Sequence, residues 1–140
     1  MNKKISIVTP TFNEEKNIEK LCVEISSQMK KFNYDYEHIV IDNSSTDSTI
    51  QVLEKIAKVD KNLKVIVNSR NFGHIRSPIH GLLQANGDGV ILMSADFQDP
   101  IDLIPKYIEE WEKGHLVVMG QKTTSDESVL KHYFKKLYYK

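Results

Sequence analysis

The chain has 140 residues with 19 basic and 19 acidic side chains, for a formal net charge of zero; 40% of it is hydrophobic and 27% charged. That length suits one domain with a real core, and the even balance removes any general attraction to nucleic acid or to an anionic surface. No apolar run approaches the ~20 residues of a membrane span, Met1-Asn2-Lys3-Lys4 does not lead into a signal-peptide centre, and a lone Cys22 excludes an intrachain disulfide. A reducing, cytoplasmic setting is the expectation.

Strand-like and helix-like segments alternate along the chain. Ile5 to Thr9 reads as the first strand. A helix is expected from about Glu14 to Lys31, N-capped by Asn13, with two glutamates in its first turn. Ile18, Leu21, Cys22, Ile25 and Met29 recur at helical spacing, so Cys22 reads as a buried, inert thiol. His38 to Ile41 is the second strand, and a helix from about Thr46 to Val59 follows, with Asp47 serving its first turn. Leu63 to Val67 is the third strand.

A loop from Asn68 to Gly73 leads into a helix that stops near Asn86-Gly87. Pro78 either kinks that helix or marks a first turn capped by Ser77. Val90 to Met93 is the fourth strand. Asp99, read as an N-cap before Pro100, opens a helix with the stripe Leu103, Ile104, Tyr107, Ile108 and Trp111. His115 to Met119 is expected to add one more strand. This alternation predicts a mostly parallel α/β sheet with helices on both faces. No repeat, linker or low-complexity segment interrupts it.

From Ser128 to Lys140, Val129, Leu130, Tyr133, Phe134, Leu137 and Tyr138 share one side of an expected helix. Lys131, Lys135, Lys136 and Lys140 accompany them, and no acid follows Leu130. Such a helix closes the fold, or it lies as a basic-aromatic face on a membrane surface. Residues 1–122 are thus expected to form the core and 123–140 a loop and amphipathic helix of the same single domain.

The segment Met93-Ser94-Ala95-Asp96-Phe97-Gln98-Asp99-Pro100 carries the clearest chemistry. It sets carboxylate and amide oxygens where a strand empties into a loop, the place where open α/β sheets bind ligands. Oxygen-only donors suit a hard divalent ion, Mg²⁺ or Mn²⁺, and such an ion suits a diphosphate. No Walker loop, GxGxxG or zinc spacing occurs.

Three further blocks stand in order before it: Val8-Thr9-Pro10-Thr11-Phe12-Asn13-Glu14-Glu15, Ile41-Asp42-Asn43-Ser44-Ser45-Thr46-Asp47 and Asn71-Phe72-Gly73-His74. Together the four resemble the inverting family 2 glycosyltransferases of the GT-A fold. The resemblance runs from about Ile5 to the last residue. It is nearest the branch that makes polyprenyl-phosphate sugars, the dolichyl-phosphate mannose synthase and bactoprenol glucosyltransferase type.

The resemblance implies binding of a UDP- or GDP-hexose with Mg²⁺ or Mn²⁺ and inverting transfer to polyprenyl phosphate or a cell-surface glycan. It places Pro10, Phe12 and Glu14 around the nucleoside, with Phe12 where relatives more often carry Tyr. Asp42, in a block with Ser44, would accept the base's ring N–H, although an aspartate there can equally cap its own turn. Asp96 and Gln98 are the metal candidates. Ser94 stands where the family usually has Asp, which removes one carboxylate and leaves a hydroxyl for a ribose or a metal-bound water. Arg70 and Lys122 are candidates for the diphosphate, and Gly73 beside Asn71 and His74 permits a sharp turn or close approach.

The resemblance further implies that an acceptor-binding half, with the general base, lies beyond residue 140. A phosphate acceptor has less need of that base, being already deprotonated. Peripheral contact with the inner face of a membrane fits a lipid acceptor, and a homodimer is open because a truncated sheet can expose apolar surface. Two other readings stand beside this one. One is a non-catalytic or partner-dependent nucleotide-sugar-binding module. The other is a doubly wound nucleotidyltransferase that prefers triphosphates.

Overall fold

In the computed structural model of the protein, the structure describes residues 3–121. Four parallel strands form one sheet in the order β3-β2-β1-β4. They are β1 (Lys4–Thr11), β2 (Asp35–Asp42), β3 (Leu63–Val67) and β4 (Gly89–Leu92). Four helices alternate with them: α1 (Ile18–Met29), α2 (Thr49–Ala57), α3 (Gly73–Leu83) and α4 (Ile104–Glu112), the last led in by a 3-10 turn at Ile101–Leu103. The expected parallel α/β sheet is present.

Strand alternation decides which helix covers which face. Ile5 and Ile7 of β1 and Val40 of β2 meet Ile18, Leu21, Ile25 and Met29 of α1, Leu53 of α2, and Ile104 and Ile108 of α4 in one apolar cluster. Cys22 lies inside it, and burial, then Asp60 and Glu19, push its thiol up to about 12. Val8 and Ile41 point to the opposite face and receive α3. A Cβ on Gly81 would stand 2.9 Å from side-chain carbons of both, so α3 sits as near the sheet as a helix can.

One polar group pins the end of the sheet remote from the strand tips. Glu37 of β2, almost fully buried, accepts hydrogen bonds from Ser6 Oγ at 2.6 Å, Lys64 Nζ at 2.5 Å and the Asn86 N–H at 2.9 Å, with Lys4 Nζ 3.0 Å away. Burial alone would raise its carboxyl. The bonds from Lys64, Ser6, Asn86 and Lys4 outweigh that and hold it at about 2. On the other face of β2, burial lowers His38 to about 4 against the pull of Asp60, and its Nε2 lies 2.9 Å from Thr9 Oγ1.

Several boundaries differ from expectation for physical reasons. Asn13 does not cap α1, which begins at Ile18 after a turn in which the Glu14 carbonyl accepts the N–H groups of Asn17 and Ile18. The Asn13 side chain instead accepts the Thr46 N–H at 2.8 Å. Ser77 does not start α3; the helix begins at Gly73 with Pro78 in its interior, and Ser77 is buried against Asn68. Asp99 is not an N-cap either, because its carboxylate takes the Ser94 N–H and hydroxyl. The segment His115–Met119 is not a strand. Leu116 and Met119 there are 96% and 85% exposed, and no strand among the described residues pairs with the outer edge of β4.

Candidate functional site

Where β1 and β4 end, their exit loops and the start of α3 enclose a cleft of about 470 Å³. Pro10 and Thr11 close β1, and Phe12 and Glu14 follow in its loop. Asn43 follows β2, while Asn71, Gly73, His74, Ser77 and Pro78 come from α3 and the turn before it. Ser94, Ala95 and Asp96 follow β4. Thus Pro10, Phe12, Glu14, Ser94 and Asp96 meet at one cavity, although up to 86 residues separate them in sequence. A second cavity of about 600 Å³ runs along the free edge of β4, lined mostly by apolar and aromatic groups such as Val90, Tyr107, Trp111 and Met119, with Asp88, Asp99 and His115 among them.

The β1 loop is fastened to the β2 loop by reciprocal bonds. The Asn13 N–H donates to Ser45 Oγ, the Glu14 N–H to Thr49 Oγ1, and the Glu15 N–H to Asp47 Oδ2. In return, the Thr46 and Ser48 N–H groups donate to the Asn13 and Glu15 side chains. Asn13 adopts a φ of 57° and Ser44 one of 68°, conformations that these interlocked turns hold in place.

Asp42 supports this wall from beneath. It is fully buried, and its two oxygens accept the Ser45 N–H at 2.8 Å and the Ser45 hydroxyl at 2.5 Å. It does not line the cleft. The turn-capping alternative therefore describes its present partners, and its carboxylate retains two of four lone-pair positions. Asp47 bonds the Thr49 N–H and hydroxyl, serving the first turn of α2 as expected.

A second network holds the α3 wall. Asn43 donates to Asn71 Oδ1 at 2.8 Å and accepts from the Phe72 N–H at 2.9 Å and from Asn68 Nδ2 at 3.3 Å. Asn68 also donates to Ser77 Oγ, and the Gly73 N–H to Asn71 Oδ1. Gly73 turns with φ 85°, the sharp turn expected of it. Arg70 places its guanidinium 4.9 Å over the Phe72 ring and does not line the cleft, so the basic side chain that lines it is His74.

The β4 loop closes largely on itself. Ser94 donates its N–H and hydroxyl to Asp99 Oδ2 at 3.2 and 2.7 Å, and the Gln98 N–H donates to Asp96 Oδ1 at 3.1 Å. Phe97, with φ 59°, packs against the main core, and Lys20 lies 5.0 Å above its ring. Asp96 is exposed to the cleft; Gln98 is exposed but outside the lining. Lys122 and the segment from Ser128 to Lys140 lie outside the described residues.

No cluster of three potential His, Cys, Asp or Glu ligands exists among the described residues. The donor set nonetheless fits a hard ion that is shared with a ligand. Asp96 offers an open carboxylate, Ser94 a hydroxyl backed by Asp99, and a diphosphate and water can supply the remaining oxygens. Residues not foreseen as site members are Thr11, Asn43, Ser77 and Pro78. Thr11 and Asn43 lie inside the two motif blocks, so their place at strand tips was the available signal. Ser77 and Pro78 become visible only once α3 is known to start at Gly73.

Known proteins place this architecture. The model for "Glycosyl transferase family 2" matches residues 6–138. An undecaprenyl-phosphate 4-deoxy-4-formamido-L-arabinose transferase of Pseudomonas fluorescens (strain Pf0-1) is 35% identical over 134 residues, covering 95% of this chain and 39% of that protein. The bactoprenol glucosyl transferase of Shigella phage SfV is 34% identical over 120 residues, covering 86% and 39%. Among solved structures, S. aureus TarS 1-349 in complex with UDP-GlcNAc superposes with a TM-score of 0.63 at 26% identity, covering 89% of this chain and 37% of that one. The chain therefore spans about two fifths of the length of the curated relatives it matches. With a parallel sheet of the GT-A type and its motif blocks gathered at the strand tips, the chain belongs to glycosyl transferase family 2.

Proposed function

We propose that residues 1–140 form the donor-binding unit of a hexosyltransferase that takes a UDP- or GDP-sugar and passes the hexose, with inversion, to polyprenyl phosphate. The observation that carries this reading is the shared cleft: Pro10, Phe12 and Glu14 from the tip of β1 face Ser94 and Asp96 from the tip of β4 across one cavity. Resemblance to an undecaprenyl-phosphate sugar transferase and to a structure holding UDP-GlcNAc supports the donor and acceptor classes.

In this reading the base lies against Phe12 and Pro10, with its ring N–H toward the open lone pairs of Asp42. Ser44 and Glu14 take the ribose side, and Glu14 is already oriented by Asn17 Nδ2 at 2.8 Å. Asp96, with Gln98 brought in from the loop and Ser94 behind it, would hold Mg²⁺ or Mn²⁺, which would supply positive charge to offset that of the departing diphosphate. Arg70 and Lys122 are the cations that can add to that effect, and His74 can donate a hydrogen bond there. The attacking group is the acceptor's phosphate oxygen, already ionised, so inversion at the anomeric carbon needs no base from this chain. Such an acceptor sets the protein on the cytoplasmic face of a membrane as a peripheral partner; among the described residues, no helix is long and apolar enough to cross one.

Calorimetric titration with UDP and GDP, with and without Mn²⁺, tests the reading. Binding should strengthen with Mn²⁺, and Asp96→Asn should remove that increment, roughly tenfold or more in Kd, or about 1.4 kcal/mol. Tight, Mn²⁺-independent binding of a nucleoside triphosphate in place of the diphosphates would overturn it.

A further inference from the structure

Among the described residues, one buried side-chain polar atom has no hydrogen-bond partner: Thr11 Oγ1. Thr11 is 4% exposed and lines the cleft. Leaving a buried hydroxyl unsatisfied is costly, so a fold that keeps one at a ligand cavity has left a partner to be supplied from outside. The other buried polar side chains of that wall all have partners. Asn43 bonds Asn71, Phe72 and Asn68, and Ser77 bonds Asn68. Each oxygen of Asp42 accepts one bond from Ser45 and keeps one lone-pair position.

The position of Thr11 says which part of a ligand it meets. Its Cα is the register partner of Asp42 on β2, and its carbonyl accepts the Asn43 N–H at 2.8 Å. It therefore sits on the Asp42 side of the cleft. Asp96 stands on the β4 side, with β1 between. Pro10 and Phe12 flank Thr11 and give a flat apolar wall of the kind that takes a ring.

We infer that Thr11 is a base-reading residue: its hydroxyl donates to the ring carbonyl of a uracil- or guanine-type base, beside the ring N–H that faces Asp42. This rests on the nucleotide-sugar reading of the cleft and adds a specificity contact to it. A carbonyl next to a ring N–H is the feature these bases share. Cytosine carries an amino group at the corresponding edge, which could only donate to the hydroxyl, and it has no ring N–H beside it for Asp42.

The test compares Thr11→Val, which keeps the β-branched shape and removes the hydroxyl, with Thr11→Ser, which keeps the hydroxyl. Each is titrated in Mn²⁺ with UDP, GDP, CDP and inorganic pyrophosphate. Thr11→Val should weaken the preferred nucleotide roughly five- to tenfold, the size of one lost hydrogen bond. Thr11→Ser should stay within about twofold, and pyrophosphate should bind all three proteins alike. Without nucleotide, Thr11→Val should melt at the same temperature as the parent or higher, because it removes an unsatisfied group.

A purely structural hydroxyl would do the reverse, lowering the melting temperature of Thr11→Val and leaving affinity unchanged; that result overturns the inference. Equal weakening of pyrophosphate and nucleotide overturns the assignment to the base. If Thr11→Val binds UDP or GDP as the parent does, the Thr11 contact fails while the nucleotide-sugar reading stands. If the parent binds none of the four ligands, both fail.

Discussion

The two sides of the cleft are held by different physics. All the buried polar and charged side chains among the described residues, Glu37, His38, Asp42, Asn43 and Asn68 among them, fall between residues 6 and 77. The β1-β2-β3 side is therefore wired by directional bonds that run from loop to loop. The β4-α4 side buries Met93, Ala95, Ile101, Ile104 and Ile108, and its polar contacts near the cleft stay within residues 94–99. A wired wall meets a ligand with its geometry already set. The β4 loop makes its hydrogen bonds within itself and is anchored to the rest of the fold by packing alone, through Ala95 and Phe97. The β1-β2-β3 wall is thus cross-braced between loops, whereas the hydrogen bonds of the β4 loop are local.

Acid should strike the wired side hardest. His38 is held neutral well below its usual range, so the unfolded chain takes up a proton first. Stability is complete above about 6.5 and falls as pH drops toward about 4. Two to three pH units correspond to a loss of about 3 kcal/mol. Glu37 adds a second stage below it: its contribution is present above about 4.5 and disappears as pH falls toward about 2. Chemical denaturation between pH 8 and pH 3 checks both stages. A flat profile down to pH 4.5 would remove His38 from the account.

Asn43→Leu comes next. It severs the links among the β2 tip, Asn68 and the α3 turn and should cost about 2–3 kcal/mol in thermal or urea unfolding. The opposite side should respond least. Asp99→Ala removes two bonds local to the β4 loop, so about 1 kcal/mol is expected, together with weaker Mn²⁺ binding measured by calorimetry. If Asp99→Ala proved as damaging as Asn43→Leu, the division into a wired wall and a self-contained loop would fail.

The legible part of the molecule is the part governed by short-range pattern. Apolar runs such as Ile5–Thr9 and Leu63–Val67 mark strands, and Ile18, Leu21, Cys22, Ile25 and Met29 mark the core face of α1, because periodicity alone distinguishes them. Pro10, Phe12, Glu14 and Ser94 could be nominated because their blocks resemble the family's, and Asp96 also because its loop leaves the tip of a strand in a parallel sheet. What stayed hidden depends on which loops become neighbours. Asn13 has the credentials of an N-cap, yet the pairing of β1 with β2 offers it the Thr46 N–H instead. Asp99 looks like a cap before Pro100 and instead secures Ser94. The error at His115–Met119 has another source: an apolar run predicts a strand only if a neighbouring strand is there to receive it, and among the described residues none is.

Gly81 gives the cleft a hidden dimension control. Because α3 touches Val8 and Ile41 with no side chain between, the depth at which His74, Ser77 and Pro78 sit is set by a missing methyl group in the last turn of the helix. Alanine at that point would act as a shim, lifting the whole rod off the strands and tilting its front end outward. The width of the cleft's mouth is thereby decided two helical turns away, by a residue no ligand could ever touch.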